Sequence, residues 1–153
     1  MRAVLQRVDK AKVTVAGQSI SSIEKGLLVF LGVETGDSSA DAKYVLEKIS
    51  NLRVFEDHES KMNLSLLDID GAMLVVSQFT LLADCRRGRR PTFAAAEEPQ
   101  KAKALYDYFI TLAQDKIKMV KSGEFQTMMK VDLTNDGPVT IVIDSNQRVT
   151  YAR

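Results

Sequence analysis

The sequence predicts an α+β fold in which a mostly antiparallel sheet, or an incomplete barrel, is covered by two main helices. Many short segments alternate polar and apolar residues or are rich in β-branched side chains, which is typical of strands. Two longer segments repeat their apolar residues at helical spacing. Short loops join many neighbouring strands, and such loops favour antiparallel pairing. The 153 residues suit one domain, 1–153, without a repeat or a linker.

The first part of the chain predicts four strands. The opening residues alternate in polarity, and the β-branched segment 12–16 is expected to pair with 19–24. The turn between these two strands is expected at Gly17 and Gln18. Residues 26–33 are nearly all apolar and too few for a typical buried helix, which predicts a central strand.

A helix is expected after these strands, because Ser38 and Asp41 have the spacing of a capping box. Four apolar residues follow at helical spacing: Ala42, Val45, Leu46 and Ile49. Residues 52–55 then predict a short strand, and a polar loop follows at 56–63. Residues 73–80 predict another strongly apolar strand.

A second helix is expected from Pro99, since proline suits the first turn of a helix. Its apolar stripe consists of Ala102, Leu105, Phe109, Leu112, Ala113 and Ile117. A turn at 121–123 leads to predicted strands at 125–133 and 139–144. Residues 148–152 are expected to add a short edge strand.

The composition narrows the classes of function. The net charge is +1, so any attraction to nucleic acid must be local and cannot come from the chain as a whole. Cys85 is the one cysteine, which leaves no intrachain disulfide and fits a reducing compartment. The opening segment lacks the features of a signal peptide, and no apolar stretch approaches the ~18 residues that span a bilayer. We therefore expect a cytoplasmic protein with no membrane partner.

Metal and nucleotide sites have little support in the sequence. His58 is the one histidine, so a zinc site lacks nitrogen and sulfur ligands. A Ser-His-Asp triad would have to use His58, which lies in a charged loop typical of a protein surface. Neither a GxxxxGK[ST] nor a GxGxxG motif occurs. We expect neither a metal nor a cofactor.

One segment concentrates positive charge around Gly88. Its arginines are Arg86, Arg87, Arg89 and Arg90. Arginines on a mobile loop suit phosphate contacts, and a solvated loop is the equally simple alternative. The cationic neighbours favour a reactive thiolate at Cys85, which is otherwise an incidental loop residue. Phe93 follows and either anchors the loop or stacks on a base, with anchoring favoured.

Two further segments have polar residues at places where proteins often have sites. Ser77-Gln78-Phe79-Thr80 closes an apolar strand, and strand ends commonly present functional groups. By pattern alone, the two hydroxyls would bond only to the backbone there. The second segment, NDGPVT at 135–140, predicts a turn between two strands.

These two segments, together with others along nearly the whole chain, resemble the D-aminoacyl-tRNA deacylase family, also called D-tyrosyl-tRNA deacylases. The signature motifs of the resemblance are SQFT at 77–80 and NDGPVT at 135–140. The supporting segments are MRAVLQRV at 1–8, GLLVFLGV at 26–33, LRVFED at 52–57 and KMN at 61–63. Ser60 stands where a glycine is expected, and Cys85 lies in a variable loop. Neither departure touches the signature motifs.

The resemblance implies a homodimer with each active site at the subunit interface. The Gly137-Pro138 peptide would be cis and would enter the partner's pocket, where its carbonyl oxygens face the α-amino group of the substrate. A D side chain would then point to solvent, whereas an L side chain would meet the Gly-Pro backbone. Achiral glycine would enter as well. Arg7 resembles the arginine that holds this segment, although without the family it would be an exposed strand residue.

The implied reaction is hydrolysis of the ester at the terminal ribose of tRNA. Thr80 is the candidate nucleophile, with Ser77 and Gln78 beside it, but no base is evident for its hydroxyl. We favour positioning of the ester, an oxyanion site at the backbone N–H groups of Phe79 and Thr80, and water activated by the free ribose hydroxyl. By the same resemblance, Phe125 and Met129 would line the pocket for the terminal adenine.

Two other classes of function stay open from the sequence. A non-catalytic RNA-binding module would use the arginines of 86–90 and would bind uncharged tRNA without turnover. A different acyl hydrolase would use Cys85 and would be inactivated by thiol alkylation. The sequence leaves the preferred tRNA and amino acid undetermined.

Overall fold

A computed structural model describes residues 1–148 as one mixed sheet of six strands, a small two-stranded sheet and two α-helices. The strands are β1 (Arg2–Val15), β2 (Gln18–Ile23), β3 (Gly26–Gly32), β4 (Phe55–Glu56), β5 (Met62–Leu64), β6 (Ala72–Ser77), β7 (Met119–Ser122) and β8 (Met129–Asp144). The helices are α1 (Ser39–Asn51) and α2 (Pro99–Lys116), with short 3-10 helices at Phe79–Leu82 and Ser145–Gln147. Nearly all of the edge strand expected at 148–152 lies outside the described residues.

Strand β1 is the centre of the large sheet. Its first half pairs with β3, its second half pairs with β2, and β8 runs along its other edge. All three of these pairings are antiparallel, whereas β3–β6 and β6–β7 are parallel. The sheet curls until β2 contacts β6 and β7, so it is nearly closed into a barrel. The predicted α+β class is confirmed.

The two parallel pairings arise where a helix intervenes between strands. Parallel neighbours need a long crossover, and α1 lies between β3 and β6 while α2 lies between β6 and β7. The segment 121–123, predicted to be a turn, instead contains the end of β7. This strand forms because it adds to the exposed edge of β6, pairing Ala72 with Met119 and Val75 with Ser122. No local pattern in the sequence predicts that pairing.

Several predicted strand boundaries are wrong. The first two predicted strands are one continuous β1, and the strands predicted at 125–133 and 139–144 belong to one β8 that begins at Met129. Irregularities in the β1–β8 pairing near Val8 let these long strands continue past polar residues. The first turn falls at Ala16 and Gly17, whose φ angles are 49° and 82°. The strand predicted at 52–55 is the short β4, Phe55–Glu56.

Alternate residues of the central strands face two different cores. Leu27 and Val29 of β3 face the helices, whereas Leu28 faces the inside of the curled sheet with Leu74 and Val76 of β6. Because both faces are covered, these strands are almost continuously apolar. The first core contains most of the buried side chains of α1 and α2.

The predicted start of each helix is confirmed. Ser38 and Asp41 form the capping box of α1, and Pro99 occupies the first turn of α2. The Glu98 carboxylate accepts a hydrogen bond from the Lys101 N–H and caps the second helix. The stripe predicted for α2 is mostly buried, with Leu105 and Leu112 only half-buried and an additional buried residue at Tyr106. Within residues 1–148, neither helix is long and apolar enough to cross a membrane.

Candidate active site

A cavity of 520 Å³ lies where β6 ends. Five residues expected at the site line it together: Ser77, Gln78, Phe79, Phe125 and Met129. They come from two places far apart in the sequence, the end of β6 and the connection from β7 into β8. Apolar side chains of Val33, Val76 and Ala102 complete the wall. The cavity is therefore mostly apolar, with a few polar groups at the end of the strand, as is common for small-molecule sites.

The strand predicted over 73–80 ends earlier than expected, and this end shapes the site. Strand β6 stops at Ser77, the Gln78 N–H still donates to the Leu31 carbonyl at 2.9 Å, and the chain then turns into the 3-10 helix Phe79–Leu82. Among the described residues, the N–H groups of Phe79 and Thr80 donate no hydrogen bond. Two adjacent backbone donors are thus free where the chain leaves β6, and free N–H groups of this kind are what binds a developing oxyanion.

Thr80 lies on the 3-10 helix just outside the residues that line the cavity. Its side chain is exposed, and its hydroxyl accepts a hydrogen bond from Nε2 of Gln78. A carboxamide N–H is a donor and cannot remove a proton from the threonine hydroxyl. Within residues 1–148, the side chain bonded to Thr80 is therefore not the base that a threonine nucleophile requires.

Two glycines missed by the sequence analysis allow the elements around the cavity to approach. A Cβ at Gly32 would lie 2.4 Å from Cδ2 of Leu82 and 3.0 Å from the Gln78 carbonyl oxygen. A Cβ at Gly123 would lie 2.6 Å from the sulfur of Met129. The contacts of Gly32 join segments that are distant along the chain, and the contact of Gly123 depends on how the chain passes from β7 into β8, so neither glycine gives a local signal in the sequence.

Tyr106 packs behind the cavity wall, a role that no pattern in the sequence indicates. Its hydroxyl donates to the Val75 carbonyl at 2.9 Å, and its ring lies 5.8 Å from the ring of Phe125. The same carbonyl accepts from the Gly123 N–H at 2.9 Å. Burial, and secondarily the nearby Asp107, raises the pKa of Tyr106, so its hydroxyl keeps its proton and acts as a donor.

Glu97 is a charged residue at the edge of the cavity that the sequence analysis did not single out. Its carboxylate accepts a hydrogen bond from the Glu98 N–H at 2.9 Å and a longer one of 3.4 Å from the Gly36 N–H. The bond from the Glu98 N–H is the main cause of a lowered pKa, so this carboxylate is negative near neutral pH. It faces the loop before α1 and ties that loop to the start of α2.

Arg7 is buried, with 4% of its surface exposed, so the alternative of an exposed strand residue is wrong. Its Nε donates to the Asp136 carbonyl oxygen at 3.1 Å and lies 2.9 Å from the Asp136 carboxylate. Its Nη1 donates to the Val54 carbonyl oxygen at 2.6 Å. One guanidinium thus connects β1, the residue before β4 and the residue before Gly137.

The Gly137-Pro138 peptide is cis and lies within β8. Both residues are exposed, whereas the next residue, Val139, is buried. Within residues 1–148, neither Gly137 nor Pro138 lines the cavity of its own chain. Arg7 bonds to the residue before Gly137, and the Gly137-Pro138 peptide itself is exposed to solvent.

The arginine segment forms a closed loop beside the 3-10 helix. Asp84 and Thr92 exchange backbone hydrogen bonds of 2.8 and 3.1 Å, and all four arginines between them are exposed. Arg86 forms an ion pair of 2.7 Å with Asp84, and its side-chain and backbone donors lower the pKa of that carboxyl to about 2. Phe93 packs against Phe79, with ring centroids 5.1 Å apart and planes at 70°, so it anchors the loop.

The other candidates from the sequence lie apart from this cavity. Cys85 is exposed on the arginine loop and lines a separate depression with Arg2 and Glu34. His58 is exposed in the turn between β4 and β5. In the part of the chain that the structure describes, no three or more His, Cys, Asp or Glu side chains group together as metal ligands.

The chain matches a protein family over most of its length. A family model described as D-Tyr-tRNA(Tyr) deacylase matches residues 4–144. The D-aminoacyl-tRNA deacylase of Syntrophus aciditrophicus (strain SB) is 61% identical over 147 residues, which cover 96% of this chain and 99% of that protein. The D-aminoacyl-tRNA deacylase of Clostridioides difficile (strain 630) is 56% identical over 147 residues, with the same coverage of 96% and 99%.

Solved structures share this fold. The structure of a c-Myc DNA unwinding element binding protein has a TM-score of 0.90 and 39% identity, covering 94% of this chain and 98% of that one. A probable eukaryotic D-amino acid tRNA deacylase has a TM-score of 0.79 at 17% identity, covering 93% and 97%, and shows the fold alone. The resemblance stated from the signature motifs is confirmed: the chain belongs to the D-Tyr-tRNA(Tyr) deacylase family, whose members are hydrolases of ester bonds.

Proposed function

We propose that this protein hydrolyses the ester that joins a D-amino acid to the terminal ribose of tRNA, releasing the free amino acid and the tRNA. The observation that carries the proposal is a single cavity that two distant segments of the chain line together, in a protein that belongs to this family. Ser77, Gln78 and Phe79 line one part of it, and Phe125 and Met129 line another. The apolar wall at Phe125 and Met129 suits a flat purine base, and the polar strand end suits the ester.

We propose that catalysis relies on position and hydrogen bonding, without a protein nucleophile. The free N–H groups of Phe79 and Thr80 would stabilise the oxyanion that forms when water attacks the ester carbonyl. The free hydroxyl of the ribose would help to activate that water. Gln78 bonds the Thr80 hydroxyl, so it is a positioning residue for the 3-10 helix. An aminoacyl ester is already reactive, so these contributions suffice for useful acceleration.

Chiral selection is proposed to come from the Gly137-Pro138 segment of a partner subunit in a homodimer. The segment is exposed and absent from the cavity of its own chain, as a group that serves a partner must be. Its carbonyl oxygens would bind the α-amino group and leave no space for an L side chain, while Arg7 holds the segment in place. Glycine esters would also be hydrolysed, because glycine has no side chain to reject.

Exposed apolar side chains on β8 support the proposed homodimer. Val142 is 63% exposed and Leu133 is 37% exposed, both on a strand that pairs with β1 along one edge. A free strand edge with exposed apolar side chains is able to pair with a second chain. Residues 1–153 would act as a single domain in each subunit.

Contact with the tRNA backbone is proposed for the arginine loop. Arg87, Arg89 and Arg90 are exposed, and Arg86 keeps its charge while paired with Asp84. Since the net charge of the chain is +1, this local cluster must supply the attraction to phosphates. We propose that the reaction takes place in the cytoplasm and that the partner is the acceptor end of aminoacylated tRNA.

The test is the rate of hydrolysis of D-Tyr-tRNA compared with L-Tyr-tRNA, with Thr80→Ala measured alongside. We expect rapid loss of the D ester, a stable L ester and residual activity in the variant without a trapped acyl-enzyme. Loss of both esters at one rate would instead indicate a general esterase. Binding of tRNA without turnover would favour the RNA-binding module, and inactivation by alkylation of Cys85 would favour a thiol hydrolase.

A further inference from the structure

The side chain of Phe79 is unusually exposed for an aromatic residue on a rigid element. It is 57% exposed, although it follows a buried strand and lies on a short helix. Its backbone N–H serves the proposed oxyanion site, but this role places no demand on the side chain. An exposed aromatic ring at the rim of a cavity offers a flat apolar face on which a ligand ring can stack.

Phe93 fixes the orientation of the Phe79 ring. The two planes make an angle of 70° at a centroid distance of 5.1 Å, an edge-to-face arrangement. Phe93 in turn follows Thr92, which is bonded to Asp84 by two backbone hydrogen bonds. An edge-to-face contact on one side leaves a face of the Phe79 ring open, in agreement with its exposure. The ring is therefore held in place before any ligand arrives.

The Phe79 ring is connected to both ends of the arginine loop. The 3-10 helix that begins at Phe79 ends at Leu82, and the loop begins at Asp84. Phe93 contacts the ring at the other end of the same loop. An exposed aromatic ring and exposed arginines on one connected segment are a combination by which proteins bind single-stranded nucleic acid, with bases stacked on rings and phosphates bound by cations.

We propose that the Phe79 ring is the stacking platform for the nucleobase that precedes the terminal adenosine of tRNA. This inference rests on the proposed function, in which the terminal nucleoside occupies the cavity that Phe79 borders. The preceding base then lies at the rim, and its phosphates lead toward the arginine loop. Stacking uses the face of a base, so the platform would accept any base and would contribute affinity without reading sequence.

The test couples removal of the ring with removal of the base. D-Tyr esters of a short RNA helix are prepared with an ordinary penultimate nucleotide and with an abasic one that keeps its phosphate. Wild-type protein and Phe79→Leu are compared on both. For wild type, we expect loss of the base to lower kcat/KM about 5- to 150-fold, the range for one base stacked on an aromatic ring. For Phe79→Leu, we expect the same change to lower kcat/KM less than about 2-fold.

The effect of base removal in wild type divided by its effect in Phe79→Leu distinguishes stacking from general damage to the site. Any general loss in Phe79→Leu affects both substrates and cancels from the ratio, and Phe79→Trp is expected to restore sensitivity to the base. Ile20→Ala removes another exposed apolar side chain, on β2, and should respond to the base like wild type. The proposal would be overturned if removal of the base lowered kcat/KM equally in wild type and Phe79→Leu, or if it left kcat/KM of the wild type unchanged.

Two further outcomes are distinct. Conversion of Phe79→Leu from dimer to monomer, measured by light scattering, would assign the ring to a subunit contact and overturn the stacking role. Failure of the wild-type protein to hydrolyse any D ester would refute the proposed function itself. Stacking would then be tested by the affinity for the two RNA helices without an amino acid. Loss of the base should still lower the affinity of the wild-type protein and leave the affinity of Phe79→Leu nearly unchanged.

Discussion

Replacement of Arg7 by methionine is the most informative single change, because this guanidinium joins three segments. Methionine keeps much of the aliphatic length of arginine and removes the charge and every donor. The Val54 carbonyl would lose its guanidinium donor, and Val54 is only 5% exposed, so water reaches it poorly. The Asp136 carboxylate is 35% exposed, so water replaces part of its lost ion pair.

These contacts set the expected loss of stability. An unsatisfied buried carbonyl costs about 1–3 kcal/mol, and a partly exposed ion pair contributes up to about 1 kcal/mol. The free energy of unfolding should therefore fall by about 1–4 kcal/mol for Arg7→Met, or about 2–16 °C in Tm for a domain of this size. Arg7→Lys keeps the charge with a single point of contact, and it should recover part of the stability.

The assay joins denaturation with the D and L ester hydrolysis described above. We expect Arg7→Lys to fold at ordinary temperature yet to lose rate on D-Tyr-tRNA, because one ammonium cannot hold both Asp136 and Val54. An unchanged denaturation midpoint in Arg7→Met would refute the assigned contacts. Full activity of Arg7→Lys would show that holding the residue before Gly137 is unimportant for the reaction.

Three other changes test the packing and charge around the cavity. Gly32→Ala should destabilise the protein by about 1–3 kcal/mol and lower kcat, because the new methyl meets Leu82 and the backbone of Gln78; calorimetry and single-turnover rates measure both. Tyr106→Phe should cost only about 0.5–1.5 kcal/mol in urea denaturation, since another donor still bonds the carbonyl that its hydroxyl contacts. The pKa of the Asp84 carboxyl, measured by NMR titration, should be about 2, and Arg86→Ala should raise that pKa. Because the folded pKa is depressed, the contact stabilises the loop above pH 4, the ordinary range of the carboxyl, and is lost as the pH falls toward 2.

Local signals in the sequence predict the elements that are defined by their own periodicity and end residues. The apolar segment at 26–33, the N-cap residue Ser38 and the first-turn residue Pro99 predict β3 and the starts of both helices, as the structure has them. These features depend on interactions between residues a few positions apart. The two signature motifs identify the family for a different reason, because they match a known pattern and not because local physics assigns them a role.

Tertiary structure decides the features that depend on contacts between distant segments. Strand β7 forms because β6 offers an edge, and Arg7 is buried because Val54 and the residue before Gly137 converge on it. Alternation along β1 shows that Arg7 lies on a strand but not what covers its face. The sequence by itself thus determined the class of fold, the local elements and the family. Only the folded chain decided which distant strands pair, which glycines must lack a side chain and which further residues line the cavity, because burial and long-range contacts are set by the whole structure.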